Sequence, residues 1–216
     1  MTSTDSDRAR ALRLTPVSRE TEDRLVAIVA LLEKWQRTIN LIAPASLPQI
    51  WTRHIADSLQ LVPLAGEVRR WVDLGSGGGF PGLVVAAALA ERDGMDVILV
   101  ESDTRKAAFL REAARIGELP VTVLPARIEQ VAGQIAPGVE LVSARALAPL
   151  PRLLDLAYPF LAQGARGLFL KGQDVDNELT ETAKSWRINA RITESLTDTS
   201  GRILTVETAE PLTPAL

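Results

Sequence analysis

The spacing of apolar residues divides the chain into two parts that meet near Trp71. Between residues 18 and 39, apolar side chains recur every three or four positions, which is the period of an amphipathic helix. Ser46 with Gln49 three positions later matches a capping box and predicts a second helix over about 47–62, ending before Pro63. We therefore expect an N-terminal helical cap over residues 18–69, preceded by a polar, frayed terminus over residues 1–17.

After Trp71, short apolar runs alternate with helical patterns. The predicted strands cover residues 70–74, 95–101, 120–124, 139–143 and 166–171, and the predicted helices cover 81–92, 104–116, 126–133, 150–162 and 174–184. Such alternation is typical of α/β proteins with a parallel sheet. Two last runs, 186–195 and 202–208, flank a Thr-Ser-Gly turn. We therefore predict a Rossmann-like α/β domain over residues 70–216, with a doubly wound, mostly parallel sheet and an antiparallel C-terminal hairpin at one edge.

Composition narrows the class of protein further. The 216 residues are 46% hydrophobic, carry a net charge of −3 and include no cysteine. Without cysteine, disulfides and thiolate metal sites are excluded, and we expect no metal. The charge argues against a protein that coats nucleic acid electrostatically. Because the apolar runs are too short to span a bilayer and the polar start lacks a signal-peptide pattern, we expect a cytoplasmic monomer without membrane contact.

Glycine is concentrated where the first predicted strand ends. The segment W-V-D-L-G-S-G-G-G-F-P-G (71–82) holds five of the 14 glycines, between a strand and a helix. Ligands of open α/β sheets bind beyond the carboxyl ends of the strands. The spacing Gly77-x-Gly79-x-x-Gly82 fits a dinucleotide-binding loop. The spacing Gly75-x-Gly77-x-Gly79, preceded by Asp73, fits the looser pattern of methyltransferases that use S-adenosylmethionine.

Acidic residues beside the glycines help to choose between these ligands. Glu101 ends the next predicted strand, where a carboxylate can accept hydrogen bonds from ribose hydroxyls of either ligand. Asp73 favours S-adenosylmethionine, because its carboxylate would attract an α-ammonium group and repel a pyrophosphate. The dinucleotide spacing of the glycines keeps an NAD-linked dehydrogenase open as the alternative function. A glycine-rich turn that serves packing alone, without a ligand, is less favoured.

Several further motifs identify a family resemblance. They are I-N-L (39–41), R-H-I-A-D-S-L (53–59), D-L-G-S-G-G-G-F-P-G (73–82), E-S-D-T-R-K-A-A-F-L (101–110), A-R-I-E (126–129), S-A-R-A (143–146) and L-K-G (170–172). Over roughly residues 20–185, the chain resembles the bacterial 16S rRNA (guanine-N7) methyltransferase G family, also called glucose-inhibited division protein B. The resemblance implies methyl transfer from S-adenosylmethionine to N7 of a guanine, with 16S rRNA or the small ribosomal subunit as partner.

The resemblance also implies a set of cofactor contacts. The predicted cofactor-binding residues are Asp73, Gly75, Gly77, Gly79, Phe80, Glu101, Ser102, Asp103, Ile128, Glu129 and Arg145. Gly75 and Phe80 would line the methionine end, and Ile128 and Glu129 would flank the adenine. The family often has Asp where Glu101 stands and an apolar residue where Asp103 stands. Asp103 is also placed to cap a helix that begins at Thr104.

The implied reaction needs little from acid–base chemistry. Guanine N7 carries a lone pair and no proton, and the sulfonium methyl is already activated, so we expect catalysis by orientation without a general base. The predicted RNA-binding residues are Arg53, His54, Asp57, Ser58, Arg127, Arg145 and Lys171. The pairs 53/57 and 54/58 are helical i,i+4 neighbours. A structural role for the single histidine stays open, as does a non-catalytic RNA- or protein-binding member of the same fold.

Overall fold

A seven-stranded sheet forms the centre of the computed structural model, which describes residues 3–212. The strands are β1 (Arg70–Leu74), β2 (Asp96–Val100), β3 (Val121–Leu124), β4 (Leu141–Arg145), β5 (Arg166–Lys171), β6 (Trp186–Glu194) and β7 (Arg202–Pro211). Their order in the sheet is β3-β2-β1-β4-β5-β7-β6. The first five pair in parallel, whereas β7 runs antiparallel to both β5 and β6. The predicted mixed sheet is confirmed.

The helices cover both faces of this sheet. They are α1 (Ser3–Leu14), α2 (Arg19–Trp35), α3 (Asp57–Leu59), α4 (Val62–Ala65), α5 (Gly82–Ala88), α6 (Thr104–Ile116), α7 (Ile128–Ile135), α8 (Leu150–Leu161) and α9 (Val175–Thr182). One hydrophobic cluster joins α2, α5 and α6 to the sheet, and a second cluster joins α7 and α8 to the opposite face. Central strands therefore bury both faces, which explains their nearly unbroken apolar runs. No helix within residues 3–212 has the length and apolar character needed to cross a membrane.

The prediction of a frayed N-terminus is wrong for residues 3–14, which form α1; residues 1 and 2 lie outside the described part. The carboxylate of Asp7 accepts hydrogen bonds from the backbone N–H groups of Trp51 (2.9 Å) and Thr52 (3.2 Å). Ala11 is buried in the same core as α2. The polar character of this segment therefore reflects a polar docking contact, which a pattern of apolar spacing does not reveal.

The predicted continuous helix over 47–62 is also wrong. The chain forms a 3₁₀ helix over Pro44–Gln49 and a π-helix over Trp51–Ala56, followed by the short α3 and α4. The hydroxyl of Ser46 donates to the carbonyl of Ala43 (2.7 Å), so the expected capping box does not form. Pro48 lacks the N–H that a regular helix would use there, and Pro63 lies in the first turn of α4 instead of following a helix. The wider π-turn also changes which side chains are neighbours.

Candidate functional site

The carboxyl ends of β1, β2 and β4 border a cleft of about 590 Å³, here called the first cleft. The glycine loop, the residues after β2 and the start of α7 form its walls. Most of the predicted cofactor-binding residues line it, namely Gly75, Gly77, Phe80, Glu101, Ser102, Ile128, Glu129 and Arg145. The unpredicted lining includes Leu41, Ile42 and Lys106. The cleft lies where open α/β sheets bind their ligands.

Gly77 is the position at which the loop leaves space for a ligand. Its φ is +54°, which favours glycine, and a Cβ there would have its nearest neighbour, the carbonyl oxygen of Gly75, 3.8 Å away. No protein atom therefore fills the space on the cleft side of this residue. A side chain at position 77 would occupy this space. Because glycine has none, a bound molecule can approach the backbone closely here.

Glu101 places a carboxylate at the end of β2. Its Oε2 accepts a hydrogen bond from the Gly77 N–H (2.8 Å), and its Oε1 accepts one from the Asp103 N–H (2.7 Å). These two contacts fix the orientation of a side chain that is only 8% exposed. Each carboxylate oxygen has a further lone pair, so Glu101 can still accept hydrogen bonds from ligand hydroxyls.

Asp73, one of the predicted cofactor-binding residues, does not line the first cleft. The side chain is fully buried, where it accepts hydrogen bonds from the Ser143 hydroxyl (2.7 Å) and the Gly82 N–H (3.2 Å). Burial raises the pKa of Asp73 to about 6, against the opposing effect of these hydrogen bonds. Asp73 thus joins β1, β4 and the start of α5.

Two more predicted cofactor residues are occupied elsewhere. Gly79 has a φ of +89°, and a Cβ there would lie 2.3 Å from Cδ1 of Leu83, so this glycine is required by packing. Asp103 caps α6 by accepting from the N–H groups of Arg105 (2.8 Å) and Lys106 (3.1 Å), and these backbone hydrogen bonds lower its pKa. Neither residue lines the first cleft.

A second cleft, of about 570 Å³, adjoins the first. Arg145 and Ala146 line both clefts, so they form the wall between them. The predicted RNA-binding residues that line the second cleft are Arg53, Asp57, Arg145 and Lys171. Arg10 of α1 also lines this cleft, as does the turn between β6 and β7 that ends in Arg202, and neither is among the predicted residues.

Arg145 is held in this wall by two side chains. Its Nη1 lies 2.9 Å from Nδ1 of His54, and its Nε lies 3.5 Å from Oδ2 of Asp57. Because a guanidinium group can only donate, Nδ1 of His54 must accept, and the imidazole is neutral with its proton on Nε2. That nitrogen lies 2.9 Å from the Ser46 hydroxyl. The ring also packs on Phe80, with centroids 4.8 Å apart.

The electrostatics of His54 agree with this neutral state. Burial lowers its pKa to about 3, and the positive charges of Arg145 and Arg53 act in the same direction. His54, one of the predicted RNA-binding residues, lines the first cleft and not the second.

Asp57 connects the π-helix region to the β6–β7 turn. Its Oδ1 accepts from the Thr197 hydroxyl (2.9 Å) and from Nε2 of Gln60 (2.8 Å), while Oε1 of Gln60 accepts from the Leu196 N–H (2.9 Å). Burial raises the pKa of Asp57, and the charge of Arg145 opposes that shift. The predicted pairing of Asp57 with Arg53 is replaced by its ion pair with Arg145.

The remaining RNA candidates have three different surroundings. Lys171 pairs with Glu178 (2.6 Å) and donates to the carbonyl of Ala148 (3.2 Å). Ser58 is fully buried, lines neither cleft, and its hydroxyl donates to the carbonyl of His54 (2.6 Å). Arg127 is exposed but lines the first cleft.

Among residues 3–212, no group of three or more His, Asp or Glu side chains could hold a metal ion.

Comparison with solved structures identifies the class of fold. The crystal structure of cofactor-bound Rv0187 from MTB superposes with a TM-score of 0.64 at 15% identity, covering 96% of this chain and 98% of that chain. An O-methyltransferase from Bacillus cereus in complex with SAH gives a TM-score of 0.59 at 15% identity, covering 95% of this chain and 98% of that chain. The sheet order, the antiparallel β7 and the position of the first cleft define a class I S-adenosylmethionine-dependent methyltransferase fold.

Sequence comparison then identifies the family. The family model described as GidB, rRNA small subunit methyltransferase G, matches residues 21–205. A ribosomal RNA small subunit methyltransferase G from Rhodopseudomonas palustris (strain BisB18) is 56% identical over 210 residues, covering 95% of this chain and 88% of the relative. One from Bradyrhizobium sp. (strain BTAi1 / ATCC BAA-1182) is 54% identical over 205 residues, covering 95% and 92%. The chain belongs to the rRNA small subunit methyltransferase G family, which confirms the resemblance found in the sequence.

Proposed function

We propose that this protein transfers the methyl group of S-adenosylmethionine to N7 of a guanine in small-subunit (16S) ribosomal RNA. The observation that carries the proposal is the pair of clefts that meet at Arg145. One combines an open glycine backbone with a buried carboxylate, and the other is lined by several cations. Membership of the rRNA small subunit methyltransferase G family supports both the reaction and the substrate.

The first cleft fits the cofactor. Gly77 leaves its side of the cleft free, and Glu101 is oriented to accept hydrogen bonds from the ribose hydroxyls. Ser102, Ile128 and Glu129 would surround the nucleoside, and Gly75 and Phe80 would line the methionine end. When bound, the cofactor supplies the activated methyl group.

In the second cleft, Arg145 would orient the guanine. Within residues 3–212, His54 and Asp57 engage Nη1 and Nε of Arg145, which leaves both N–H groups of Nη2 and the second N–H of Nη1 to donate to a ligand. Arginine commonly binds guanine through both O6 and N7, but N7 must stay free to accept a methyl group. A single donor nitrogen can bind O6 alone. An Arg145 that donates to O6 in this way leaves N7 free to face the first cleft.

The step requires no group to remove a proton. Guanine N7 carries none, and the positive charge moves from the sulfonium to the base as the methyl group is transferred. The neutral His54 is thus a positioning residue for Arg145. We attribute the acceleration mainly to holding N7 in line with the methyl group, a contribution that can reach about 7–11 kcal/mol in well-oriented reactions.

The decisive test is transfer of labelled methyl groups to small ribosomal subunits, and to naked 16S rRNA, from cells that lack the enzyme. We expect a single labelled guanine that carries the methyl group on N7. Absence of transfer to both substrates, or a label on another atom, would refute the proposal. A thermal shift with S-adenosylmethionine and none with NAD is also expected. Cofactor binding without transfer to either substrate would favour the non-catalytic alternative.

We further infer that the protein acts in the cytoplasm as a monomer. The large exposed apolar side chains within residues 3–212 are Ile116, Ile192, Leu196 and Leu212, too few for the contiguous apolar surface of a stable dimer. Sedimentation at micromolar concentration should give a single species of 23.4 kDa. A species of twice that mass would refute the monomer.

A further inference from the structure

Helix α1 reaches the second cleft although it lies outside the part of the chain that the family model matches. That match begins at residue 21, whereas α1 ends at Leu14. Arg10, on the last half of α1, lines the second cleft together with Arg53, Lys171 and Arg202. The helix therefore contributes a cation to a surface that is otherwise formed by the matched region.

Specific contacts hold α1 in this place. Asp7 accepts from the backbone N–H groups of Trp51 and Thr52, at the start of the π-helix that carries Arg53. Arg8 pairs with Glu22 of α2 (2.5 Å), and its guanidinium lies 5.2 Å from the centre of the Trp51 ring. Arg10 follows Asp7 by three positions, so both lie on the same side of α1. The position of Arg10 is thus set by the contact that docks the helix.

The cations of the second cleft differ in what they are already bound to. Arg145 and Lys171 pair with Asp57 and Glu178, and Arg202 donates to the carbonyls of Thr199 and Gly201 (both 2.8 Å). Arg10 and Arg53 are exposed, and within residues 3–212 neither forms an ion pair with a carboxylate. Their guanidinium groups are therefore available to an anionic partner, although the charge of Arg53 also acts on Asp198, which lines the same cleft.

We propose that Arg10 binds a phosphodiester group of the RNA strand that carries the target guanine, so that α1 is part of the RNA-binding surface. The inference rests on the proposed function. Arginine binds phosphate oxygens through paired, charge-assisted hydrogen bonds, and contacts of this kind position a protein on nucleic acid without reading sequence. Arg145 would then orient the base while Arg10 holds the strand beside it.

The test compares Arg10→Gln with Arg13→Gln in the full chain. Arg13 is an exposed arginine on the same helix, but it does not line the second cleft. Binding to small subunits lacking the modification is measured between 50 and 200 mM salt. We expect Arg10→Gln to weaken binding about fivefold and to reduce the slope of log affinity against log salt by about 1. Arg13→Gln should leave both unchanged, and both variants should bind S-adenosylmethionine with unchanged affinity.

The outcomes separate this inference from the proposed function. Equal affinities and salt slopes for the two variants would overturn the role of Arg10, even with an active wild-type enzyme. A wild-type protein that binds the subunit but transfers no methyl group would refute the proposed function, while the binding comparison would still test Arg10. A lower cofactor affinity or a lower melting temperature in Arg10→Gln, but not in Arg13→Gln, would also overturn the proposal, because it would indicate a structural role for Arg10.

Discussion

The two clefts on either side of Arg145 are built in different ways. The first lies at the ends of adjacent parallel strands, where the glycine loop forms one wall and Glu101 is fixed by two backbone N–H groups. The second joins the ends of β4 and β5 to α1, the π-helix and the β6–β7 turn, which are far apart along the chain. The strand ends therefore form much of the cofactor site, whereas the substrate cleft also depends on how α1, the π-helix and the β6–β7 turn dock against the sheet.

The largest expected effect tests whether the first cleft depends on open backbone. We expect Gly77→Asp to weaken S-adenosylmethionine binding about 1,000-fold, or about 4 kcal/mol, because the side chain would enter the cleft beside the Glu101 carboxylate. Calorimetric titration measures the affinity. Gly164→Asp is the matched control, since Gly164 also has a positive φ (+93°) but a Cβ added there would have no atom within 4 Å. Equal losses would assign the effect to backbone strain.

The next effect tests the wall between the clefts. Arg145→Lys retains the charge but loses the planar fork, so we expect the methyl-transfer rate to fall about 100-fold, or about 2.7 kcal/mol, in single-turnover assays. The control is Arg70→Lys, because Arg70 makes an ion pair of the same 3.5 Å length with Asp96 at the other end of the sheet. If the affinity for S-adenosylmethionine fell by the same factor as the rate, Arg145 would act through the cofactor alone and not through the substrate.

The neutral state of His54 predicts a dependence of stability on pH. The pKa of His54 is lowered from 6.5 to about 3 on folding, so the unfolded chain takes up a proton below pH 6.5 while the folded protein does not. The stabilisation is therefore complete above pH 6.5 and is lost as the pH falls toward 3. Between pH 7 and pH 5 we expect this group to remove about 2 kcal/mol of unfolding free energy.

Urea unfolding at the two pH values, on the wild type and on His54→Gln, isolates this contribution. The glutamine variant lacks the titrating ring, so its stability should fall less between pH 7 and pH 5. Identical pH dependence in the two proteins would contradict a neutral imidazole that accepts a hydrogen bond from Arg145.

The smallest expected effect tests whether Ser58 only stabilises the residues around the second cleft or also contacts the RNA. Ser58→Ala removes one buried hydrogen bond to the carbonyl of His54, and we expect a loss of about 1 kcal/mol in unfolding free energy. Chemical denaturation measures that loss, and RNA affinity should stay unchanged. A selective loss of RNA affinity would restore Ser58 as a substrate contact.

Sequence patterns correctly predicted those features that are determined by residues close together along the chain. The helix over 104–116 has the predicted bounds, and the loop after β1 and Glu101 at the end of β2 line the same cleft, as their positions at strand ends indicate. Ser18 caps α2, where the helical pattern begins. In these elements the apolar period, the cap and the strand end lie within one short segment.

Other features depend on contacts that no local pattern contains. Asp73 has the sequence position of a cofactor residue, but its side chain lies in the core, where it accepts a hydrogen bond from Ser143 on a neighbouring strand. The glycine loop likewise serves two purposes, because Gly77 faces the cleft whereas Gly79 is needed for packing against Leu83. Arg10 reaches the second cleft because α1 docks through contacts such as that of Asp7 with Trp51, more than forty positions away.

The place of β7 in the sheet has a consequence for the order in which the protein is completed during synthesis. β7 is the last described strand along the chain, yet it lies between β5 and β6 and pairs with both. Until residues 202–211 have left the ribosome, β5 has one unpaired edge and β6 has no neighbour. The first cleft is lined entirely by residues before 157, whereas the second requires residues 195–202. A nascent chain could therefore form its cofactor site before the cleft for its substrate exists.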